Sequence, residues 1–493
     1  MASRRYRDLA WLRARYLLPL GVLILAAILL LDPSRGFQTP KFHIPFASEL
    51  SQSDAAQRLR VGAVGANVII IVTDAACADH FTSFGYKRNT TPDIARFHQD
   101  SVLFTEAYSS AASTKPSIAS LFTSQFPDTH GALALPARLA AESATLAECL
   151  KSAGYRTAGF SASPSVSASF GFSRGFDSFH ELFRDVGMDP AGPDLQRVSG
   201  LPVDAALVLK SVTGWLQAHK HERFFAYLHF REPHTPYVAP PSFQARVRGA
   251  ERRPGLQTMY DACLAYVDSV IGKLLRDLDA SGLLDKSVVV LMADHGEAFG
   301  QHGRFGHAST PYREMVHVPL AFHLPARSGA VPQRRSEVFS NTDVMPTLLD
   351  LLQIAPPKTM QGRSRLGLLA GEEEKTPAFT VSRALGEDLT GGKQDCGQIS
   401  YALRVPRYTL VLADRGRRVE LYDRDADPGE QHNIAGERQD LVKKLRAQFA
   451  AWAATQRGRP VVLPGGRVFA VEGKVADMDE VTRRQLRSLG YLK

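Results

Sequence analysis

At 493 residues the chain exceeds one ordinary domain, and two or three domains with a sizeable core are expected. Its 44% hydrophobic and 22% charged content is that of a globular protein, with no internal repeat and no low-complexity tract. The net charge of +9 suits an anionic substrate or an envelope surface, and the lack of any zinc-knuckle, RNA-binding or helix-turn-helix signature excludes nucleic acid as the expected partner.

The chain opens with Arg4, Arg5, Arg7, Arg13 and Arg15 against one acid, Asp8. Leu17 to Leu31 is then apolar throughout except for Gly21 and Pro19, and no small-x-small cleavage site follows before Asp32-Pro33-Ser34-Arg35. This pattern predicts an uncleaved signal-anchor at 1–35, a single span of the cytoplasmic membrane. The arginines stay in the cytoplasm and the rest faces the periplasm or exterior. A cleaved signal peptide is the rival reading. Residues 36–66 mix Pro, Ser, Gln and Ala and are expected to be a linker.

The run Val68-Ile69-Ile70-Ile71-Val72 predicts a buried strand ending at Asp74. Thr91 or Thr90 caps a helix whose first turn holds Pro92, and a strand follows at 102–104. Short helices are expected at 117–124 and 143–153, then a strand at 155–161. Residues 162–200, rich in Gly, Ser and Phe, read as a long functional loop. A helix at 203–219, a buried strand at 224–230 and a helix at 257–281 come next. The strand Val288 to Met292 leads to Asp294; a strand at 318–322 and a helix at 343–352 complete the series.

Continuous apolar strands alternating with helices predict an α/β fold with a large, mostly parallel sheet covered on both faces, at 67–375. From 376 to 493 the pattern changes to short alternating strands near 377–382, 399–404, 407–413 and 418–423, with one helix at about 436–455. This predicts a small C-terminal antiparallel sheet packed by one helix. Cys77, Cys149, Cys263 and Cys396 show no metal spacing. They are either buried thiols or up to two disulfides of undefined pairing.

Two buried strands thus deliver carboxylates, Asp74 and Asp294, to the sheet edge where ligands of open α/β sheets gather. Neighbouring acids repel unless a cation joins them, so a divalent metal is the simplest account. His295, His302 and His307 follow in or beside a glycine-dense loop. An oxygen-rich site with one imidazole suits Ca²⁺, Mg²⁺, Mn²⁺ or Zn²⁺. Thr114 opens the short helix that contains Pro116; its default role is the N-cap, but beside a metal and a helix end it can act as a nucleophile. Lys115 can neutralise an anionic substrate.

The order Asn67-Val-Ile-Ile-Ile-Val-Thr-Asp74, Asp79-His80, Gly85-Tyr86, Thr91-Pro92, Thr114-x-Pro116-Ser117 and Gly131 closely resembles the sulfatase family of the alkaline phosphatase superfamily. The resemblance continues through Glu232-Pro233-His234-Thr235-Pro236-Tyr237, Asp294-His295-Gly296-Glu297, Gly306-His307 and the closing Leu489-Gly490-Tyr491-Leu492. It implies an alkaline-phosphatase-like α/β/α sandwich. It also implies one divalent metal ion, Ca²⁺ by family, held by Asp74, Asp294, His295 and the Thr114 side chain, with His234 and His307 on the oxygens of a sulfuryl or phosphoryl group.

The departures are specific. The family carries Cys or Ser, converted to formylglycine, where this chain has Thr114, and Thr cannot become formylglycine. Ile118 replaces an Arg, Ala75 a metal-binding Asp, Cys77 an Arg, and Ser161-Ala162 a Gly-Lys pair. A Thr ester must be cleaved by a second in-line attack, by water or an alcohol. The leading expectation is therefore a metal-dependent hydrolase of sulfuric or phosphoric esters. The alternatives are a phospho-group transferase acting on envelope lipid or glycan, and a catalytically degenerate binding protein.

Overall fold

The structure, a computed structural model, describes residues 51–133, 137–184, 204–249, 255–374, 378–385 and 399–456, with the isolated positions 251, 253, 480 and 483. The expected signal-anchor at 1–35, and Cys396, lie outside them. Among the described residues no helix is long and apolar enough to cross a membrane.

The main sheet is built from β1 (Asn67–Asp74), β2 (Val102–Phe104), β3 (Arg156–Ser161), β4 (Ser178–Glu181), β5 (Phe224–Pro233), β6 (Ser287–Ala293), β7 (Leu320–His323) and β8 (Gln333–Arg335). Their order is β8-β2-β7-β6-β1-β5-β3-β4. The centre is parallel: Ile70 of β1 pairs with Tyr227 of β5 on one side and Val290 of β6 on the other. β7 runs antiparallel to both of its neighbours. Every residue of β1, β5 and β6 is buried, which is why these strands read as unbroken apolar runs.

The helices used below are α1 (Asp54–Ala63), α2 (Pro92–Gln99), α3 (Thr114–Thr123), α4 (Ala205–His219), α5 (Leu256–Ala280) and α6 (Val344–Leu351). α5 packs on α2, α4 and β5, while α6 packs on α1 and α3. The two groups form the outer layers of an α/β/α sandwich, the architecture that the resemblance implies.

Three local expectations change. Within the expected linker, α1 is a folded helix: Ser53 caps it at Ala56 N (3.0 Å), Ala56, Leu59 and Ala63 are buried, and Arg60 pairs with Asp350 at 2.9 Å. Its polar composition hid a narrow apolar stripe. Within the expected long loop, Ser178–Glu181 forms the edge strand β4; its residues are half-buried or exposed, so they lack the strand signature. Thr91 is the N-cap residue of α2, but its hydroxyl accepts from Thr82 N instead. Asp268 of α5 accepts from the Asp93 and Ile94 amides in its place (3.2 and 2.8 Å).

The C-terminal sheet is antiparallel and in chain order: β9 (Thr380–Leu385), β10 (Ile399–Arg404), β11 (Tyr408–Ala413) and β12 (Arg418–Asp423). Helix α7 (Gln439–Ala453) packs Val442, Leu445, Phe449 and Trp452 against Tyr401, Leu403, Leu410 and Leu421. Buried ion pairs tie this sheet to the main body, among them Arg383–Asp128 (3.2 Å) and Arg424–Glu106 (3.3 Å). Cys77, Cys149 and Cys263 are free thiols.

Candidate active site

The C-terminal ends of β1, β5 and β6 meet over the N-terminus of α3. β1 ends at Asp74, and the residue after β6 is Asp294; both are fully buried. Ala75 follows Asp74 with φ of 61°, and this left-handed turn aims its amide at Asp294 Oδ1 (3.0 Å). His295 N donates to the same oxygen at 2.8 Å. At the place where the resemblance expects a further carboxylate, the backbone of Ala75 thus orients Asp294. Among the described residues Oδ2 of Asp74 and Oδ2 of Asp294 have no hydrogen-bond partner.

Thr114 is the first residue of α3, and Ser113, not Thr114, occupies the N-cap. The Thr114 hydroxyl is therefore free of the capping role. Its Oγ1 lies 3.1 Å from His295 Nε2 and donates to Asp74 Oδ1 at 3.3 Å. His295 Nε2 also lies 3.5 Å from Asp74 and 3.7 Å from Asp294. Lys115, next in the helix, donates from Nζ to the Ala137 carbonyl (3.1 Å) and sits 3.2 Å over the Phe170 ring.

His234 and His307 face each other with ring centroids 4.8 Å apart, and the His307 ring is 4.4 Å from that of His295. His307 Nδ1 pairs with Glu297 Oε1 at 2.9 Å, leaving Nε2 without a hydrogen-bond partner. His302 is elsewhere: its nitrogens meet Glu314 and the Glu430 carbonyl, and its ring stacks on Tyr312. Cys77 has its thiol among the Glu297 and Glu314 carbonyls, and burial pushes that thiol far above its usual range, so it is no nucleophile.

Electrostatics divide the two carboxyls. Burial and the charge of Asp74 push Asp294 up to about 7. Burial also opposes ionisation of Asp74, but His234, His229 and Arg231 outweigh it and hold Asp74 well below the carboxylate range. Burial and His307 lower His295 to about 4, and burial together with Arg231 lowers His234. Burial would depress His307 too; Glu297, with Asp74 and Asp294 behind it, reverses this and raises it.

One residue of the site escaped the sequence. His229 of β5 brings Nε2 to 3.5 Å from Asp74 Oδ2, and its Nδ1 meets the Tyr227 hydroxyl at 2.9 Å. One ligand atom from each of Asp74, His229 and Asp294 falls within 4.8 Å of the others. The fit to a divalent cation is direct: Asp74 Oδ2, Asp294 Oδ2 and His229 Nε2 are buried and lack hydrogen-bond partners. Two carboxyls that repel each other and an imidazole nitrogen are a donor set that a cation satisfies. The available signal was a histidine inside the otherwise apolar run Phe224 to Phe230, next to β1.

Residues 66–354 match the sulfatase family profile, and residues 300–455 match that of the N-sulphoglucosamine sulphohydrolase C-terminal region. The chain is 24% identical to an N-acetylgalactosamine-6-O-sulfatase of Bacteroides thetaiotaomicron, over 77% of this chain and 91% of that protein. It is 25% identical to an ulvan-active sulfatase of Formosa agariphila, over 78% and 80% of the two chains. Its fold is similar to that of a phosphonate monoester hydrolase of Agrobacterium radiobacter, with a TM-score of 0.66, 18% identity, and 79% and 96% of the two chains covered. The family match takes in the strand ends and helix mouth where Asp74, Thr114, His234, Asp294, His295 and His307 converge, and on that ground the chain belongs to the sulfatase family of ester hydrolases.

Proposed function

We propose that this chain is a metal-dependent hydrolase of sulfuric or phosphoric esters in which Thr114 is the nucleophile. The observation that carries the reading is the Thr114 hydroxyl, which opens a helix yet bonds to Asp74 and His295. Thr114 carries a methyl group on Cβ, so oxidation there gives a ketone; a formylglycine aldehyde cannot form.

Asp74, Asp294, His295 and Thr114 would hold the cation, with His229 on the far side of Asp74. A divalent ion there supplies Lewis-acid charge neutralisation at the attacked group. The family resemblance favours Ca²⁺; the added imidazole of His229 makes Mn²⁺ or Zn²⁺ equally suitable, and Mg²⁺ less so.

Asp74 Oδ1 holds the Thr114 oxygen in place for attack on sulfur or phosphorus, and the first amides of α3 face the charge that develops. The Thr114 hydroxyl passes its proton to Asp74 Oδ1, to which it is already hydrogen-bonded, as its oxygen bonds to sulfur or phosphorus and the ester oxygen leaves. His307 carries a proton and presents Nε2 to the leaving oxygen, with Glu297 fixing its ring. His234 contacts the oxygens of the transferred group, and Lys115 stands beside Thr114 on the Ala137 carbonyl and the Phe170 ring. Water then attacks the Thr114 ester in line, giving a proton to His307, while Asp74 returns the first proton to the Thr114 oxygen as sulfate or phosphate leaves. An alcohol of an envelope lipid or glycan in place of water would make the same intermediate a transferase step.

The sulfated-glycan names of the sulfatase relatives support a sulfate ester, and the phosphonate monoester hydrolase neighbour supports a phosphorus ester. With an anchor at 1–35, the site would work on the outer side of the cytoplasmic membrane. The test is to measure bound metal on the purified protein and to assay aryl sulfate, aryl phosphate and phosphodiester with the wild type, Thr114→Ala and Asp294→Asn. A metal-free native protein, or full activity in Thr114→Ala, would end this reading.

A further inference from the structure

β5 carries a second charged residue into the site, and none of the roles above uses it as a ligand for substrate. Arg231 lies two positions beyond His229, so both side chains leave the strand on the same side. It is 1% exposed and among the largest fully buried side chains. Its Nη2 donates to the Thr235 carbonyl (3.3 Å) and lies 2.8 Å from His234 Nδ1, which meets the same carbonyl at 2.7 Å. Among the described residues its Nε and Nη1 have no hydrogen-bond partner. Nη1 stops 3.9 Å from Oδ2 of Asp74, an oxygen that is itself without one.

A permanent cation with unmet donors in the interior needs a reason. A guanidinium that served only as counter-ion to Asp74 would close to hydrogen-bond distance, where a charge-assisted bond is strongest. Arg231 instead is held back by its Nη2 bond and keeps Nη1 open toward the carboxylate that borders Thr114. Lys115, the other permanent cation near Thr114, already donates to the Ala137 carbonyl and covers Phe170.

We infer that Arg231 binds the tetrahedral oxyanion of the substrate, with Nη1 donating to a non-bridging oxygen of the sulfuryl or phosphoryl group while that group stands over Thr114. The inference rests on the ester-hydrolase reading above. Because Nη2 is fixed by the Thr235 carbonyl, the donor is in place before the substrate arrives and need not reorganise during reaction. The Thr235 carbonyl that holds Arg231 also holds His234 Nδ1, so one backbone carbonyl orders two contacts to the same group.

The test is isothermal titration of inorganic phosphate into the metal-loaded full chain, with metal content measured on each sample, for the wild type, Arg231→Gln, Arg231→Lys and Thr114→Ala. Arg231→Gln is expected to keep its metal and lose roughly 30-fold or more in phosphate affinity. Arg231→Lys keeps the charge beside Asp74 but not the planar donor, and is expected to bind roughly three- to tenfold more weakly than wild type. Phosphate affinity unchanged in both variants overturns the inference. So does loss of metal from both, which would mark Arg231 as a counter-ion of Asp74 alone. If Arg231→Gln does not fold, the Lys variant decides by the same criteria. Phosphate binding needs no turnover: activity surviving in Thr114→Ala would remove the nucleophile and leave the Arg231 result standing.

Discussion

Thr114 Oγ1 and His295 Nε2 lie 3.1 Å apart, although Thr114 opens a helix whose free amides its hydroxyl could have capped. Ser113 takes the cap position, and the Thr114 oxygen is turned to the strand ends instead. Replacement by Ala therefore costs chemistry and little structure. Thr114→Ala is expected to lower kcat by about 10³-fold or more with a melting temperature close to wild type. Thr114→Ser, which keeps the oxygen, should retain measurable turnover. Steady-state assays beside thermal melts check both.

Metal affinity should depend on pH through Asp294. Its carboxyl titrates at about 7 in the metal-free protein, whereas Asp74 is ionised well below that and His295 is neutral above about 4. Below about 7 a proton must leave Asp294 before a cation binds, so affinity should rise about tenfold per pH unit up to that point and then level off. The stability sign is opposite for the metal-free form. The folded value lies above the unfolded one, so stability is full below about 3.8 and is lost as pH rises through about 7. Calorimetry in buffers of different ionisation enthalpy reads the proton release, and Asp294→Asn should abolish it.

His229→Ala should cut metal affinity by about 100-fold or more while leaving the fold intact, because the partners it leaves are the Tyr227 hydroxyl and the site's own Asp74. Metal content after dialysis, compared with a control such as His302→Ala, separates a ligand from a nearby histidine. His302 makes its bonds to Glu314 and Glu430 outside the site.

Glu297 raises His307, so its removal should move a pH limb. With His307 as the acid, activity falls as pH rises through the His307 value. Glu297→Gln lowers that value and should shift the alkaline limb of kcat/KM to lower pH. A pH–rate profile of the variant against wild type measures the displacement.

The C-terminal sheet depends on Arg404 and Glu430, a pair with no exposed side-chain surface; Arg404 also donates to the Pro311 carbonyl, and Glu430 accepts from Arg313 N. Arg404→Ala leaves Glu430 buried and unpaired. It should destabilise the protein by about 3–5 kcal/mol, read by denaturant unfolding.

The sequence made the carboxylates and Thr114 legible, because Asp74 and Asp294 end unbroken apolar strands and Thr114 precedes Pro116 at a helix mouth. His229 and Arg231 were not legible. They lie inside a strand whose apolar character dominates its pattern, and only pairing of β5 with β1 shows that they flank Asp74. Glu297 belonged to a recognised motif, but its partner became visible only when the antiparallel pairing of Ala298–Phe299 with Phe305–Gly306 returned His307 to it. The helix α1 and the edge strand β4 were missed for a shared reason: each buries so little that the apolar period does not rise above the polar residues around it.

The most direct test of Thr114 as the nucleophile is the mass of the peptide that contains it. Metal-loaded protein would be mixed with an activated aryl phosphate or aryl sulfate, quenched in acid during turnover, digested and analysed by mass spectrometry. The expected result is an unmodified Thr114 before substrate and one phosphoryl or sulfuryl group on Thr114 during turnover, absent from Thr114→Ala. Turnover at the wild-type rate by Thr114→Ala, or an adduct on another residue, would contradict it.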